Sequence, residues 1–148
     1  MTQSDRSEFG FGLNDDELGR LIAAAREAAG RAYAPYSRFR VGCAVACADG
    51  SIVPGCNVEN AAYSPTCCAE RTALFAAIAF GHAPLSFRAM AVAGDTPEPI
   101  TPCGVCRQVM AELCRPDMPV VLVAADGRFR LTTVDELLPA AFRLDRST

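Results

Sequence analysis

Long apolar runs, basic clusters and an export signal are all missing from this chain. No apolar run reaches the roughly 20 residues that a membrane-spanning helix needs. Clusters of Lys and Arg, with which proteins bind polynucleotide phosphates, are also missing. Residues 1–14 lack the basic start and apolar stretch of a signal peptide. We therefore expect a cytoplasmic protein that binds neither membrane nor nucleic acid.

The chain also has no internal repeat and no low-complexity segment. Its 148 residues, of which 51% are apolar, suffice for one domain with a sizeable core. We predict that this single domain spans residues 15–148 and that residues 1–14 form a partly ordered N-terminal arm. The formal net charge of −3 favours a small neutral substrate over a nucleic-acid strand.

Eight cysteines raise the question of a disulfide-stabilised fold. Such folds are typically short, secreted and poor in core, whereas this chain is longer, has regular helix and strand patterns and carries no export signal. We therefore expect reduced thiols, some bound to metal and others buried as small apolar side chains. The sequence assigns no individual role to Cys43, Cys47, Cys56, Cys67 and Cys114.

Helix and strand patterns alternate along the chain. Asn14 followed by three acidic residues is typical of a helix start, and apolar residues recur at helical spacing as far as Ala32, before the segment 34–37 ends the helix. Asp49-Gly50 predicts a hairpin turn between strands at 39–47 and 51–53. The further predictions are helices at about 66–80, 103–114 and 134–138, and strands at 90–93, 120–124 and 129–133. In the 103–114 helix, we expect Val105, Val109 and Leu113 on one face. This alternation predicts an α/β fold of three layers, α/β/α, with a mixed central sheet of about five strands.

Cysteines stand at the start of two predicted helices, in Cys68-Ala69-Glu70 and in Pro102-Cys103-Gly104-Val105-Cys106. Helix N-termini favour thiolates, because unpaired N–H groups and the helix dipole stabilise negative charge there. Cys68, Cys103 and Cys106 can supply three zinc ligands and leave the fourth position to water, as in catalytic zinc sites. Glu70, two residues past Cys68, can move the protons of that water without binding the metal.

The alternative is a closed structural zinc site or a set of inert core thiols. Closure requires a fourth ligand, and the single histidine, His82, lies about 20 Å from the Cys68 end of its helix at 1.5 Å per residue. Cys67 faces another side of that helix, so we expect an open site. Arg71 and Arg107 are either surface residues or donors to the ligand sulfurs that offset the charge of three thiolates, and we favour the second interpretation.

The motifs and their order resemble the small homotetrameric cytidine deaminases of pyrimidine salvage. Zinc nucleobase deaminases combine Cys ligands, a Glu that does not bind the metal and a P-C-x-x-C element. The resemblance covers about residue 16 to Phe142 and is far more specific than a lone C-x-x-C. The matching segments are Ala34-Pro35-Tyr36-Ser37, Phe39, Val41-Gly42, Gly55-Cys56-Asn57-Val58-Glu59-Asn60-Ala61-Ala62-Tyr63, Cys68-Ala69-Glu70-Arg71-Thr72-Ala73, Pro102-Cys103-Gly104-Val105-Cys106-Arg107-Gln108, and Leu137-Leu138-Pro139 with Phe142.

The resemblance implies a cytidine-deaminase-like fold, one Zn²⁺ (zinc ion) per chain and a homotetramer with shared active sites. It implies that Glu70 moves both protons while water replaces the amino group of cytidine or 2'-deoxycytidine, and that the backbone N–H of Ala69 orients the reacting group. By the same resemblance, Asn57 and Glu59 hold the ribose hydroxyls and Phe39 packs on the pyrimidine ring. Segments that complete the pocket, partly from neighbouring subunits, contain Ala61, Tyr63 and Phe142.

Three alternatives stay open on the sequence alone. Asn57 and Glu59 are equally compatible with a sugar-binding pair, since side chains two apart on an extended segment face one way, and with turn residues. A rival function is deamination of a nucleoside analogue or of a base within nucleic acid. A second rival, a non-catalytic zinc-binding module, would need a fourth protein ligand and would have no use for Glu70.

Overall fold

The computed structural model describes residues 12–146, so most of the N-terminal arm expected at residues 1–14 lies outside the described residues. The elements are, in order, α1 (Asp15–Ala29), β1 (Val41–Ala46), β2 (Ile52–Cys56), α2 (Ala69–Ala79), β3 (Ala89–Gly94), α3 (Gly104–Leu113), β4 (Pro119–Val123), β5 (Phe129–Thr133) and α4 (Val134–Leu137). Helices cover both faces of one sheet, which confirms the predicted three-layer α/β/α fold. No helix within residues 12–146 is long and apolar enough to cross a membrane.

The five strands form one mixed sheet in the order β2-β1-β3-β4-β5. β3 and β4 are parallel, and the other neighbouring pairs are antiparallel. β1, β3 and β4 are buried at every position, so they are apolar runs rather than alternations. The edge strand β2 is longer than the predicted 51–53. It includes Pro54, which an edge strand tolerates because its outer N–H groups need no partner.

Helix α1 packs on the sheet face that small residues line. A capping box starts it: Glu17 N–H donates to Asn14 Oδ1 at 2.8 Å, and Asn14 N–H donates to Glu17 Oε2 at 2.9 Å. A Cβ atom on Gly42 would lie 1.9 Å from the carbonyl oxygen of Ala25, so the close approach of α1 to β1 requires glycine there. Alanines make up much of this sheet face: Ala44, Ala46, Ala89, Ala91 and Ala93.

Helix α1 ends at Ala29, before the 34–37 boundary that the sequence predicts. Beyond Gly30, the next two N–H groups donate to carbonyls three residues back, the tightening with which many helices end. Tyr33 N–H then donates to the carbonyl oxygen of Asn57 at 3.0 Å. The prediction was wrong at this boundary because pairing with a segment distant in sequence overrides the local helical pattern.

The opposite sheet face carries α2, α3 and α4 over the larger core. Three of the cysteines without an assigned role, Cys43, Cys47 and Cys114, are buried in or against this core. Burial raises the pKa of the Cys114 thiol to about 12, so this thiol stays protonated and unreactive at neutral pH. These residues confirm the expectation that some cysteines serve as small apolar side chains.

The most buried face of helix α3 contains Cys106. Cys106, Met110 and Ala111 are buried, and Val109 and Leu113 pack half-buried against the same core, whereas Val105, predicted to share a face with those two, is 59% exposed. Residues four apart lie on the same helix face, so the inward-facing Cys106 brings Met110 with it. The predicted face therefore borders the buried one and reaches the core through Val109 and Leu113, while Val105 lies at its exposed end.

Candidate active site

Two helices begin at cysteines whose thiol groups are not used for capping. Cys68 is the N-cap of α2 and Cys103 is the N-cap of α3; both have extended backbone angles, and neither side chain bonds the helix that it precedes. A Ser, Thr, Asp or Asn cap would direct its oxygen to N–H groups of the first turn. Here the two sulfurs approach each other, with Cys68 Sγ 3.8 Å from Cys103 Sγ.

Cys106, on the first turn of α3, completes a cluster of three thiols. The Sγ atoms of Cys68, Cys103 and Cys106 all lie within 4.8 Å of one another. A tetrahedral zinc ion with Zn–S bonds of about 2.3 Å places its sulfurs about 3.8 Å apart, so the spacing and the donor set fit zinc. Among the described residues 12–146, no further His, Cys, Asp or Glu belongs to this group, which leaves one tetrahedral position for a ligand that is not protein.

Glu70 lies beside the thiols on the first turn of α2. Its side chain is buried, with 4% of the residue exposed, and Cys106 Sγ donates to Glu70 Oε2 at 3.3 Å. Burial raises the pKa of this carboxyl above its usual value, because the charged form loses its hydration. A carboxyl group with a raised pKa accepts a proton more readily than an ordinary carboxylate and can return it. The position and burial of Glu70 therefore suit proton transfer beside the thiols.

The charges of the cluster are unequally distributed. A hydrogen bond with Cys106 lowers the pKa of Cys68 to about 5, and Arg71, whose Nη2 donates to Cys68 Sγ at 3.4 Å, acts in the same direction. Conversely, the hydrogen bond with Cys68 and burial raise the pKa of Cys106. Without a metal, negative charge is therefore favoured on Cys68 over Cys106. Arg71 makes the kind of sulfur contact that the sequence predicts for it.

Arg107 makes contacts that differ from those predicted. Its Nε donates to the carbonyl oxygen of Pro102 at 2.7 Å and its Nη1 donates to that of Leu137 at 2.7 Å, instead of to a ligand sulfur. Leu137 ends α4, and the last carbonyls of a helix lack intrahelical donors, so they attract the guanidinium. Arg107 therefore links the loop before Cys103 to α4. Both of these hydrogen bonds go to carbonyl oxygens, whereas the sequence predicted bonds to a ligand sulfur.

Asn57 and Glu59 hold a loop of their own chain. Asn57 Oδ1 accepts the Val41 N–H at 2.8 Å, and Asn57 Nδ2 donates to the carbonyl oxygen of Phe39 at 2.7 Å. Glu59 Oε1 accepts the N–H groups of Tyr36 and the following serine at 2.9 and 3.1 Å. The two side chains thereby fix the loop that carries Phe39. A turn-like structural role, one of the two alternatives left open above, is therefore present.

Several of the pocket residues implied by the resemblance are exposed at the surface, and some of them line a cleft beside this loop. A cleft of about 420 Å³ is lined by Tyr36, Ser37, Glu59, Asn60, Tyr63 and Thr66. A hydrogen bond from Ser37 lowers the pKa of Glu59, so its carboxylate is charged at neutral pH. Tyr63 is 77% exposed and Phe142 is 68% exposed, while Ala61 lies in the same exposed turn as Tyr63. Ala69 is the buried first residue of α2, where backbone N–H groups lack intrahelical acceptors.

Sequence reasoning missed contacts that main-chain groups make. The N–H donors of Tyr36 and Ser37 to Glu59 have no side-chain signature, so no motif could indicate them. Gln108 stands at the end of the Pro102–Gln108 motif without a predicted role, yet its Nε2 donates to the carbonyl oxygen of Phe142 at 2.9 Å. The sequence signal for such a role was the polar side chain of Gln108 itself, within a motif whose other residues are zinc-ligand candidates and their neighbours.

Comparison with known proteins places this geometry in a family. Residues 15–122 match the family model of the cytidine and deoxycytidylate deaminase zinc-binding region. A cytidine deaminase of Sporosarcina psychrophila is 52% identical over 126 residues, which cover 85% of this chain and 91% of that protein. The crystal structure of cytidine deaminase from Burkholderia pseudomallei superposes with a TM-score of 0.82 at 54% identity, covering 84% of this chain and 98% of that chain.

A more distant solved structure agrees with the same assignment. Cytidine deaminase from Mycobacterium tuberculosis superposes with a TM-score of 0.73 at 37% identity, covering 86% of this chain and 98% of that one. The match therefore extends over nearly the full length of each relative, and not only over the two cysteine segments. With three thiols spaced for zinc and a buried carboxyl group beside them, the chain belongs to the cytidine and deoxycytidylate deaminase family.

Proposed function

We propose that this chain is a cytidine deaminase that hydrolyses cytidine and 2'-deoxycytidine to uridine and 2'-deoxyuridine with release of ammonia. The observation that carries this proposal is a buried carboxyl group, Glu70, in hydrogen-bond contact with a three-thiol cluster that has no fourth protein ligand within residues 12–146. A structural zinc site fills all four positions with protein atoms and has no use for such an acid. A catalytic site needs both features.

One zinc ion per chain would be held by Cys68, Cys103 and Cys106. When bound, zinc supplies a water molecule whose pKa is lowered toward neutrality. Three thiolates carry more negative charge than the ion neutralises, and the Arg71 guanidinium beside Cys68 Sγ offsets part of the excess. Arg107 supports the arrangement from further away, because it holds the loop that leads to Cys103.

Glu70 is the proton carrier of the proposed reaction. Its carboxylate accepts a proton from the attacking water and passes it to N3 of the pyrimidine while oxygen bonds to C4. It then takes the proton of the hydroxyl group now on C4 and gives it to the amino group, so that the C4–N bond breaks, ammonia leaves and the C4 carbonyl forms. The raised pKa of Glu70 serves both steps, because a strongly acidic carboxyl would not hold the proton between them. The Ala69 N–H orients the reacting group at the start of α2.

The nucleoside would lie between the thiol cluster and the loop that carries Phe39. The Phe39 ring packs on the pyrimidine, and Asn57 with Glu59 bonds the ribose hydroxyls. Asn57 uses one amide hydrogen and one lone pair for the loop, and the Glu59 carboxylate uses one oxygen. An amide has two hydrogens and two acceptor sites, and a carboxylate has about four acceptor sites. Both side chains therefore retain capacity for a sugar.

The proposed active form is a homotetramer in which neighbouring subunits complete each pocket. Exposed aromatic residues support this proposal, since Tyr63 and Phe142 leave most of their surface uncovered in the single chain and ordered aromatic rings gain stability by burial. Ala61 lies in the same exposed turn as Tyr63. We assign the enzyme to pyrimidine salvage in the cytosol.

Replacement of Glu70 by Gln tests the proposal directly. The variant should bind one zinc per chain and bind cytidine, yet lose turnover by at least about 10²–10⁴-fold, the usual contribution of general acid–base catalysis. Turnover of cytidine, free cytosine and a single-stranded oligonucleotide by the unmodified enzyme is measured in parallel, with elemental analysis of zinc. Retention of a tenth of the original kcat by the variant would exclude Glu70 as the proton carrier, and preference for the oligonucleotide would exclude the nucleoside as substrate.

A further inference from the structure

The chain that follows α4 returns along α3 and is held there by three side chains. Gln108 Nε2, on α3, donates to the carbonyl oxygen of Phe142 at 2.9 Å. The next two arginines, Arg143 and Arg146, donate to carbonyl groups near the end of α3. Carbonyls in the last turn of a helix lack intrahelical donors, so these bonds satisfy groups that would otherwise need water. The backbone of the returning segment is therefore fixed on α3.

The ring of Phe142 does not share this packing. Phe142 is 68% exposed, although its carbonyl group is bonded. Two residues before it, Ala140 has a φ of +52°, a left-handed conformation that is unfavourable for an alanine. An exposed phenylalanine ring forgoes the stabilisation that burial gives. Because hydrogen bonds fix the backbone of Phe142, they also restrict the positions that its exposed ring can take.

Gln108 connects this ring to the thiol-bearing helix. It lies two residues after Cys106 on α3, and its side chain is the one that bonds the main chain of Phe142 itself. The two arginines bind further along the segment and leave the Phe142 peptide group to Gln108. A side chain on a rigid helix defines a position more narrowly than one on a loop.

We propose that Gln108 is a positioning residue that acts through Phe142: it fixes the point at which the Phe142 ring enters the nucleoside pocket of a neighbouring subunit. This inference rests on the proposed function, in which neighbouring subunits complete each pocket. Gln108 would thus serve the active site of the adjacent chain, although it lies on the helix that carries the cysteines of its own. Loss of the bond would let the ring move, weaken nucleoside binding and leave the proton transfers unchanged.

The test is a double-mutant cycle with Gln108→Met and Phe142→Ala. Met keeps the size of Gln but has no N–H donor, and the exposed Phe142 carbonyl then bonds water. We expect Gln108→Met to raise KM for cytidine about three- to tenfold, the range for one lost neutral hydrogen bond, with kcat within about twofold. The double variant should have the same KM as Phe142→Ala alone. If Gln108 acts only through the Phe142 ring, its replacement has no further effect once the ring is gone.

Zinc content and mass by light scattering accompany the kinetics, since a general structural defect would alter them. Arg115→Met is the matched control: Arg115 lies just beyond α3, bonds the exposed Asp117 at 3.0 Å, and its loss should change neither KM nor kcat. If Gln108→Met does not fold, Gln108→Glu has nearly the same shape, also lacks the donor and enters the same cycle.

The outcomes separate the positioning inference from the proposed function. A Gln108 variant with unchanged KM, or with an effect that multiplies with that of Phe142→Ala, would overturn the positioning role while the shared pocket stands. An unchanged KM in Phe142→Ala itself would overturn the shared pocket and the inference together. Absence of cytidine turnover by the unmodified enzyme would overturn the proposed function.

Discussion

Replacement of Gly55 by Ala should damage the active site from a position outside it. Gly55 lies on β2 against the first turns of α2, and an added Cβ would lie 2.4 Å from Ala73 N and 2.7 Å from the carbonyl oxygen of Ala69. Ordinary contacts to carbon begin near 3.5 Å, so α2 must retreat by roughly 1 Å. The Thr72 hydroxyl, 2.6 Å away, can rotate, but the other two neighbours are main-chain atoms of a helix and cannot.

That displacement would move Cys68 and Glu70 with α2, while the two other thiols stay on α3. Zinc–sulfur bonds tolerate about 0.2 Å, and a misplacement of about 1 Å can lower catalysis about 10²-fold. We therefore expect Gly55→Ala to lower kcat/KM for cytidine by about two orders of magnitude and to weaken zinc binding. Overpacking should also reduce the free energy of unfolding by about 1–3 kcal/mol.

The assays are urea unfolding, zinc analysis after dialysis against a weak chelator, and cytidine kinetics. Gly19→Ala is the matched control, since Gly19 lies within α1 and an added Cβ meets no atom within 4 Å. This change should stabilise the protein by about 0.8–1 kcal/mol, the difference in helix propensity, and leave kinetics unchanged. Gly55→Ala with native stability, zinc affinity and kcat/KM would refute the argument that the contact of α2 with β2 positions the thiol cluster.

Three further changes test other contacts. Cys103→Ala should lose zinc and activity together, and a variant that retained stoichiometric zinc by elemental analysis would contradict the assignment of Cys103 as a ligand. Arg38 has a φ of +58°, so Arg38→Gly should raise the free energy of unfolding by about 0.5–1 kcal/mol; an unchanged urea midpoint would argue against strain at this residue. The hydrogen bond from the Asn14 N–H and, to a smaller extent, the contact with Arg88 lower the pKa of Glu17 from its ordinary value of 4.5. Its stabilising effect is then present above pH 4.5 and is lost as pH falls through the lowered pKa, so urea midpoints of the unmodified protein and Glu17→Gln should differ at pH 6 and converge toward pH 3.

The fold could be predicted as far as local signals determine it. The helix start at Asn14 and the buried runs of β3 and β4 were identified within one or two residues, because caps and apolar runs are local properties. The end of α1 was not, since Tyr33 pairs with Asn57 from a distant segment. On α3, Val109 and Leu113 pack against the core, but Val105 from the same predicted face is exposed, because its first turn turns Cys106 inward. Errors therefore lie where distant contacts compete with local preference.

The candidate site was predictable where side chains carry the chemistry. Three cysteines and an acid at two helix starts indicate a metal and a proton carrier, whichever fold holds them, and the structure brings these four side chains together. Arg107 shows the limit of that reasoning. Adjacency in sequence predicts that a charged group is near, but not which acceptor it chooses, and carbonyl groups at the end of α4 bind its guanidinium.

The double use of Asn57 and Glu59 explains why the sequence alone did not decide between a sugar site and a turn. Both side chains bond the main chain of the loop that carries Phe39, and each keeps hydrogen-bonding capacity beyond those bonds. A ribose bound to the remaining groups would contact the same atoms that hold the loop, so the sugar and the ring that packs on the pyrimidine would be positioned together. A free base lacks the sugar and would bind without this connection. Under the proposed function, selection of nucleosides over free bases would follow from two side chains that serve the fold and the substrate at once.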